Sequence, residues 1–561
     1  MTKIRVAAVG GTVLVALIAG CGGGSDSPTP TTSQPASPKT PQDACSALVG
    51  MTIPAASIGL PTSGALVQNA TLVDASADGN SNGEYCAVKG QILPVSADAP
   101  TMEYQVNLPT AWNNKALQLG GGGYDGSLVT GLNPFALQPA TVTMPLKQGY
   151  VTLGSDGGHK GGPGFDGTFG LNDEALLNYG KQSVKKTHDV AMIIVKARYG
   201  TTPKRFYFIG GSQGGHEALD AAARYGADYD GVVANYPAYN VTMLHLGALN
   251  LGKALYANGG TGWMNATKTK LLTDSVYAAC DGLDGVSDGI ISNVAGCNAA
   301  FNITTVRSTL RCLGGTDTGD TCLSDAQIDA VDKIASPYRP GFPIAGMSEY
   351  PRWALLEGAR YAGQSTFGTR PVPTNPPSAA LDALEYRAGA ATTQYIITRN
   401  PSLDPLTFDP LQWQARTQEV GTIMDVSNVD LAPFRDRGGK LILVHGTIDD
   451  LISPHNTEAY YGYHKAIQGQ AAMDSFVRFY IVPGLGHGFG TFNAKYDGLG
   501  LLDNWVEHGQ APGTLTAVDG NTTGATAGRT RPMCQYPAWP KFTGASGASP
   551  NDAANFTCVT L

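Results

Sequence analysis

Ser212 lies in Gly210-Gly211-Ser212-Gln213-Gly214, directly after the apolar run Phe206-Tyr207-Phe208-Ile209 and just before the alanine-rich helical stretch Glu217 to Tyr225. Small residues on both sides let the chain turn sharply from strand to helix, so that the serine hydroxyl is exposed. In a chain with 72 glycines the five-residue motif alone says little, and its strand–turn–helix context makes it specific. A serine nucleophile needs a base to take its proton and an acid to orient that base. Two later strand-like runs end in such groups. Lys440-Leu441-Ile442-Leu443-Val444 leads to His445-Gly446-Thr447-Ile448-Asp449-Asp450, and Phe476 to Val482 leads to Pro483-Gly484-Leu485-Gly486-His487-Gly488. Asp449 is the expected acid, with Asp450 as its competitor, and His487 is the expected base. An oxyanion needs backbone donors close by, which consecutive glycines allow. Gly120-Gly121-Gly122-Gly123 follows Leu117-Gln118-Leu119, so one donor is expected from Gly122 or Gly123 and the other from the amide of Gln213.

A second chemical signal is Cys280-Asp281-Gly282-Leu283-Asp284-Gly285-Val286-Ser287-Asp288-Gly289-Ile290. Three carboxylates on a turning backbone suit Ca²⁺, with the carbonyls of Val286 and Ile290 able to complete the shell. The twelfth-position glutamate of an EF-hand is missing, and an acidic surface turn is the alternative. Cys280 and Cys297 bracket the segment and argue for a closed loop.

The elements that must position these groups fall into two blocks. The first, residues 43–238, offers strands at Lys115–Leu119, Tyr150–Leu153, Arg205–Ile209 and Gly231–Asn235. It also offers a helix from Val184 to Tyr199 whose apolar face carries His188 as a core residue. The second, residues 431–561, carries the strands that precede Asp449 and His487. Strand–helix alternation, with the order serine, aspartate, histidine, predicts an α/β-hydrolase fold. Residues 239–430 lack that alternation and are expected to form a large inserted lid domain over Ser212, with the acidic loop inside it.

Lys3 and Arg5 precede an apolar run from Val6 to Ile18, too short to span a bilayer. Residues 1–20 therefore read as a secretory signal ending in a lipobox-like Ile18-Ala19-Gly20-Cys21, with Cys21 as the lipidated residue of an envelope protein. Residues 21–42 read as a flexible tether. The net charge of −8 and the lack of basic runs exclude nucleic acid as an expected partner. Eight cysteines remain, an even number that suits disulfides in an exported chain. Local closure favours Cys45–Cys86, Cys280–Cys297, Cys312–Cys322 and Cys534–Cys558.

Further stretches carry a resemblance. They are Leu108-Pro109 followed by Trp112-Asn113, Gln118 to Gly123, Ser155-Asp156-Gly157-Gly158-His159 and Gly170-Leu171-Asn172. The serine segment through Tyr229-Asp230-Gly231 and Pro237-Ala238 continues them, as do the Cys280–Ile290 loop and Asp404 to Asp409. The segment ending at Asp449 and Arg531-Pro532-Met533-Cys534 to Cys558 complete the set. In these the chain resembles the tannase and feruloyl esterase family, which includes mono(2-hydroxyethyl) terephthalate hydrolases. The resemblance implies Ser212 as nucleophile, Asp449 as acid and His487 as base. It also implies a structural Ca²⁺ at Asp281, Asp284, Val286, Asp288 and Ile290, and the same four cysteine pairs. Members of the family typically carry a disulfide between cysteines beside the serine and histidine. Here Gly211 and Gly488 hold those places, so packing and hydrogen bonds must position His487.

The expected function is hydrolysis of a carboxylic ester of an aromatic acid (hydroxycinnamate, gallate or terephthalate half-ester) through an acyl-enzyme. Alternatives are an esterase for aliphatic or polyester-derived oligomers, and a non-catalytic binding lipoprotein.

Overall fold

Every strand that leads into the serine, aspartate and histidine segments belongs to one sheet. The computed structural model describes residues 40–161, 165–361, 367–524 and 526–560. The signal segment, Cys21 and the tether up to residue 39 lie outside them. The sheet has ten strands: β1 (Thr52–Ile53), β2 (Ala65–Val73), β3 (Tyr85–Ile92), β4 (Met102–Pro109), β5 (Lys115–Leu119), β6 (Val151–Ser155), β7 (Arg205–Gly211), β8 (Gly231–Asn235), β9 (Lys440–Gly446) and β10 (Val477–Val482). Their order is β1-β2-β3-β4-β6-β5-β7-β8-β9-β10. Pairing is antiparallel from β1 through β6 and parallel from β6 to β10. This is an α/β-hydrolase architecture.

The parallel strands read clearly in the sequence because helices cover both faces, so their runs are apolar throughout. All five residues of β8 are buried, for example. The antiparallel flank is harder to read. In β4 the buried Gln105 and Asn107 bond to each other at 2.8 Å, which hides a core strand behind polar letters. A register shift between Val67 and Asn69 interrupts β2 in the same way.

Helices pack on both sides. α1 (Ser183–Tyr199) begins one residue before the expected Val184 and ends at Gly200, whose φ of 79° closes the helix in the left-handed region. His188 is packed in the core against Phe206, with ring centroids 4.5 Å apart. α2 (Gln213–Ala223) starts at the residue after Ser212 and is buried along its whole length. Between β8 and β9 the described residues form helices and turns, led by α3 (Val241–Gly260) and α4 (Leu384–Ala391), which pack on each other. α5 (Pro454–Gln468) follows the Asp449 segment.

Four disulfides join Cys45–Cys86, Cys280–Cys297, Cys312–Cys322 and Cys534–Cys558. Such bonds belong to an oxidising compartment, which marks the chain as exported. Among the described residues no helix is long and apolar enough to cross a membrane.

Candidate active site

β7 ends at Gly211, and Ser212 turns the chain into α2 with φ 62° and ψ −122°. That conformation is strained for a residue with a side chain, and it holds only because its surroundings fix it. The Ser212 amide donates to Asn235 O at 3.1 Å and its carbonyl accepts from Ala238 N at 3.1 Å. Gly214 makes the turn possible: a Cβ there would lie 2.8 Å from Gly121 O and 3.0 Å from the carbonyl carbon of Gly120.

β9 and β10 are neighbours, and the loops after them bring Asp449 and His487 to Ser212. His487 Nε2 lies 2.8 Å from Ser212 Oγ, and His487 Nδ1 lies 2.9 Å from Asp449 Oδ2. A carboxylate only accepts, so Nδ1 carries the imidazole proton and Nε2 accepts from the serine hydroxyl. Asp449 is fully buried. Its Oδ1 accepts from the amides of Leu451 and Ile452, both at 2.9 Å, and His445 Nε2 stands 3.2 Å from Oδ2. Burial alone would raise its pKa, but His487 and His445 outweigh that, and the carboxyl is held below its usual range. For His487 burial works against the charged form, but Asp449, with a further contribution from Asp450, raises the pKa above the ordinary value of 6.5. Asp449 makes the hydrogen bond to the imidazole, and Asp450 acts on it through charge.

Tyr236 occupies the space between the serine and histidine loops. It follows β8 with φ 35°, a rare value for a bulky residue. Its ring centroid is 4.6 Å from that of His487. A Cβ on Gly211 would lie 2.8 Å from Tyr236 Cε2, and one on Gly488 would lie 3.0 Å from Tyr236 Oη. The two glycines thus make room for an aromatic ring where the resemblance implies a disulfide in other members.

The glycine loop is fixed on the elbow. Gly121 N donates to Glu217 Oε2 at 2.8 Å and Gly214 N donates to Gly121 O at 3.1 Å. Gly123 and Gln213 line a cleft together with Ser212 and His487. Gly122 lines the neighbouring cavity instead, with Gly120 and Gly121. The cleft walls are largely apolar (Phe165, Leu244, Ala248 and Ala388 among them), and Tyr179, His245 and Glu385 face it as well. Sequence reading did not single out Tyr236, Glu217 or Glu385. The one available signal was Glu217, placed five residues after the serine in the first turns of α2.

The acidic loop lies elsewhere in the chain. Asp281 Oδ1 accepts from Gly289 N at 2.9 Å, Asp284 Oδ2 from Ser292 N at 3.2 Å, and Asp288 Oδ1 from Ile290 N at 3.1 Å. Arg531 pairs with the other oxygen of Asp288. Asp288 thus feels the charge of Asp281, and Asp284 that of Asp288, with the Arg531 guanidinium in direct contact with Asp288. Oxygen is the donor type that a hard cation takes. Among the described residues no three His, Cys, Asp or Glu side chains are drawn together as a metal-holding group. Ile290 is buried, and a Cβ on Gly484 would lie 3.2 Å from its Cγ1, so the loop packs on the segment that carries His487.

Comparison with known proteins adds the following. The model of a family described as tannase and feruloyl esterase matches residues 86–559. An uncharacterized esterase of Agrobacterium fabrum is 39% identical, covering 94% of this chain and 95% of its own. The mono(2-hydroxyethyl) terephthalate hydrolase of Piscinibacter sakaiensis is 30% identical, covering 85% of each chain. Among solved structures, feruloyl esterase B from Aspergillus oryzae superposes with a TM-score of 0.72 at 23% identity, covering 93% of this chain and 100% of its own.

Proposed function

The chain belongs to the tannase and feruloyl esterase family and is a carboxylic ester hydrolase, and from that premise we propose that it cleaves esters of aromatic acids through an acyl-enzyme on Ser212. The observation that carries the reading is the unbroken chain Ser212 Oγ–His487 Nε2 and His487 Nδ1–Asp449, opening on an apolar cleft. Ser212 attacks the ester carbonyl while His487 Nε2 takes the hydroxyl proton. Asp449 keeps the imidazole in the right tautomer and stabilises its charged form. The developing oxyanion is met by the amides of Gly123 and Gln213, a pair worth about 10²–10³ in rate per donor. His487 returns its proton to the departing alcohol oxygen, and then activates a water that attacks the acyl carbonyl and frees Ser212. Apolar walls suit a flat aromatic ring, which loses much of its hydration on entry.

Kinetics on a panel of methyl esters test the substrate class. Hydroxycinnamate, hydroxybenzoate or terephthalate esters are expected to exceed aliphatic esters of similar length by tenfold or more in kcat/KM. Equal or better turnover of the aliphatic esters, or of polyester-derived oligomers, would replace this reading.

Two further assignments belong to the same proposal. The Cys280–Cys297 loop takes Ca²⁺ through the carboxylates of Asp281, Asp284 and Asp288 and the carbonyls of Val286 and Ile290. The ion would neutralise the crowded carboxylates and has no part in ester cleavage. The protein is anchored at the cell envelope through a lipid on Cys21, and fatty-acid labelling lost in Cys21→Ser would check it.

A further inference from the structure

Among the described residues, Glu385 is the one carboxyl group lining the cleft beside Ser212, and its surroundings set its chemistry. It sits on the first turn of α4 and is 2% exposed. Both of its carboxyl oxygens are buried without a hydrogen-bond partner. A buried polar group left this way is costly and calls for an explanation, and in a cleft a ligand that completes the bond supplies one. No lysine or arginine lines the cleft among the described residues, and the wall histidine His245 is neutral, its pKa lowered to about 3 by burial. The charged groups that act on Glu385 from its surroundings are Asp450 and Asp449, which are negative, and Arg387, which is outweighed. Burial is the largest influence and drives the Glu385 carboxyl well above its ordinary value against the pull of its own backbone amide, so it stands in the cleft as a neutral acid with one donor and one acceptor.

We propose that the Glu385 carboxyl group hydrogen-bonds a hydroxyl on the aromatic ring of the acyl group, and that the cleft rejects acyl groups bearing a carboxylate. A hydroxyl both donates and accepts, and so matches a neutral acid at both of its atoms. A carboxylate placed there would be desolvated beside Asp449 and Asp450 with no lysine or arginine among the described residues that line the cleft, which disfavours its charged form. This inference rests on the reading that the cleft holds the acyl part of an aromatic ester. It narrows that class to hydroxylated, uncharged rings and sets the terephthalate half-ester aside.

The test compares methyl 4-hydroxybenzoate, methyl benzoate and monomethyl terephthalate on the full protein, with Glu385→Gln and Glu385→Leu. Wild type should prefer the hydroxylated ester over the unsubstituted one by about tenfold in kcat/KM, and turn over the anionic ester more slowly than either. Gln also donates and accepts, so Glu385→Gln should keep most of the preference, and Glu385→Leu should abolish it. A wild-type preference for monomethyl terephthalate would overturn the proposal without touching the aromatic-ester reading. So would a Glu385→Leu variant that lost activity on both neutral esters equally. Turnover of aliphatic esters alone would instead sink the reading of the cleft.

Discussion

His487 is held by a hydrogen bond to Asp449 on one nitrogen, one from Ser212 on the other, and the Tyr236 ring against its face. The first two partners were legible in the sequence because each follows a strand whose residues announce it. Tyr236 was not, since Asn235-Tyr236-Pro237 reads as an ordinary turn, and only the juxtaposition of Gly211 and Gly488 shows what the ring fills. Glu385 was hidden for a similar reason, being one acidic letter in an alanine-rich helix. If Tyr236 positions the base, Tyr236→Ala should lower kcat by about 10–100-fold with little change in KM, because small misplacements of a catalytic group are expensive. Tyr236→Phe should keep at least half the activity. Equal losses in both variants would point to the hydroxyl rather than the ring. The reaction needs neutral His487, whose pKa is raised, so kcat/KM should fall as pH falls, with the acid-limb midpoint above 6.5. A midpoint at or below that value would contradict the charge assigned to Asp449.

Among the elements, the parallel half of the sheet could be read from the sequence strand by strand, while the antiparallel half could not. Buried strands between two helical layers are written in apolar runs, whereas β4 carries its polar pair Gln105–Asn107 inside the core. Burial of that kind depends on partners distant in the chain, which no local pattern reveals. The acidic loop is a further element whose role rests on contacts made elsewhere, through Ile290 against the His487-bearing segment and Asp288 against Arg531. Chelation should therefore lower Tm by several degrees and reduce activity as the histidine segment loosens, since a ligand that binds only the folded state stabilises it. Asp281→Ala with Asp288→Ala should reproduce the loss and make it insensitive to added calcium. Protein that holds no calcium by metal analysis, and shows no shift on its addition, would rule the ion out.

At the scale of the whole molecule, a buried ion pair ties the long segment between β8 and β9 to the hydrolase core. Glu357 binds His455 of α5 at 2.7 Å and Arg352 at 2.8 Å, and His455 also binds Glu458 at 2.8 Å. Burial opposes both charges. The partners win, lowering Glu357 to about 2 from 4.5 and raising His455 to about 9 from 6.5. For His455 the native state binds the proton more tightly, so its contribution is full below pH 6.5 and is lost as pH rises through about 9. For Glu357 the native state favours the anion, so its contribution is full above pH 4.5 and is lost as pH falls through about 2. Tm should thus decline between pH 6.5 and 9, and His455→Gln should flatten that decline while lowering Tm at pH 6. An unchanged slope in the variant would show that other groups control it. Nothing in the sequence marked this pair, because its members lie far apart and meet only when the chain has folded.

The central claim is a covalent intermediate on Ser212. Intact-mass and peptide analysis after reaction with a fluorophosphonate, or with a slowly deacylated aromatic ester, tests it most directly. A single adduct on the Ser212 peptide is expected, with activity lost in proportion to labelling and no adduct in Ser212→Ala. An adduct on another residue that tracks the loss of activity, or a Ser212→Ala variant retaining more than about a tenth of the wild-type kcat, would contradict it.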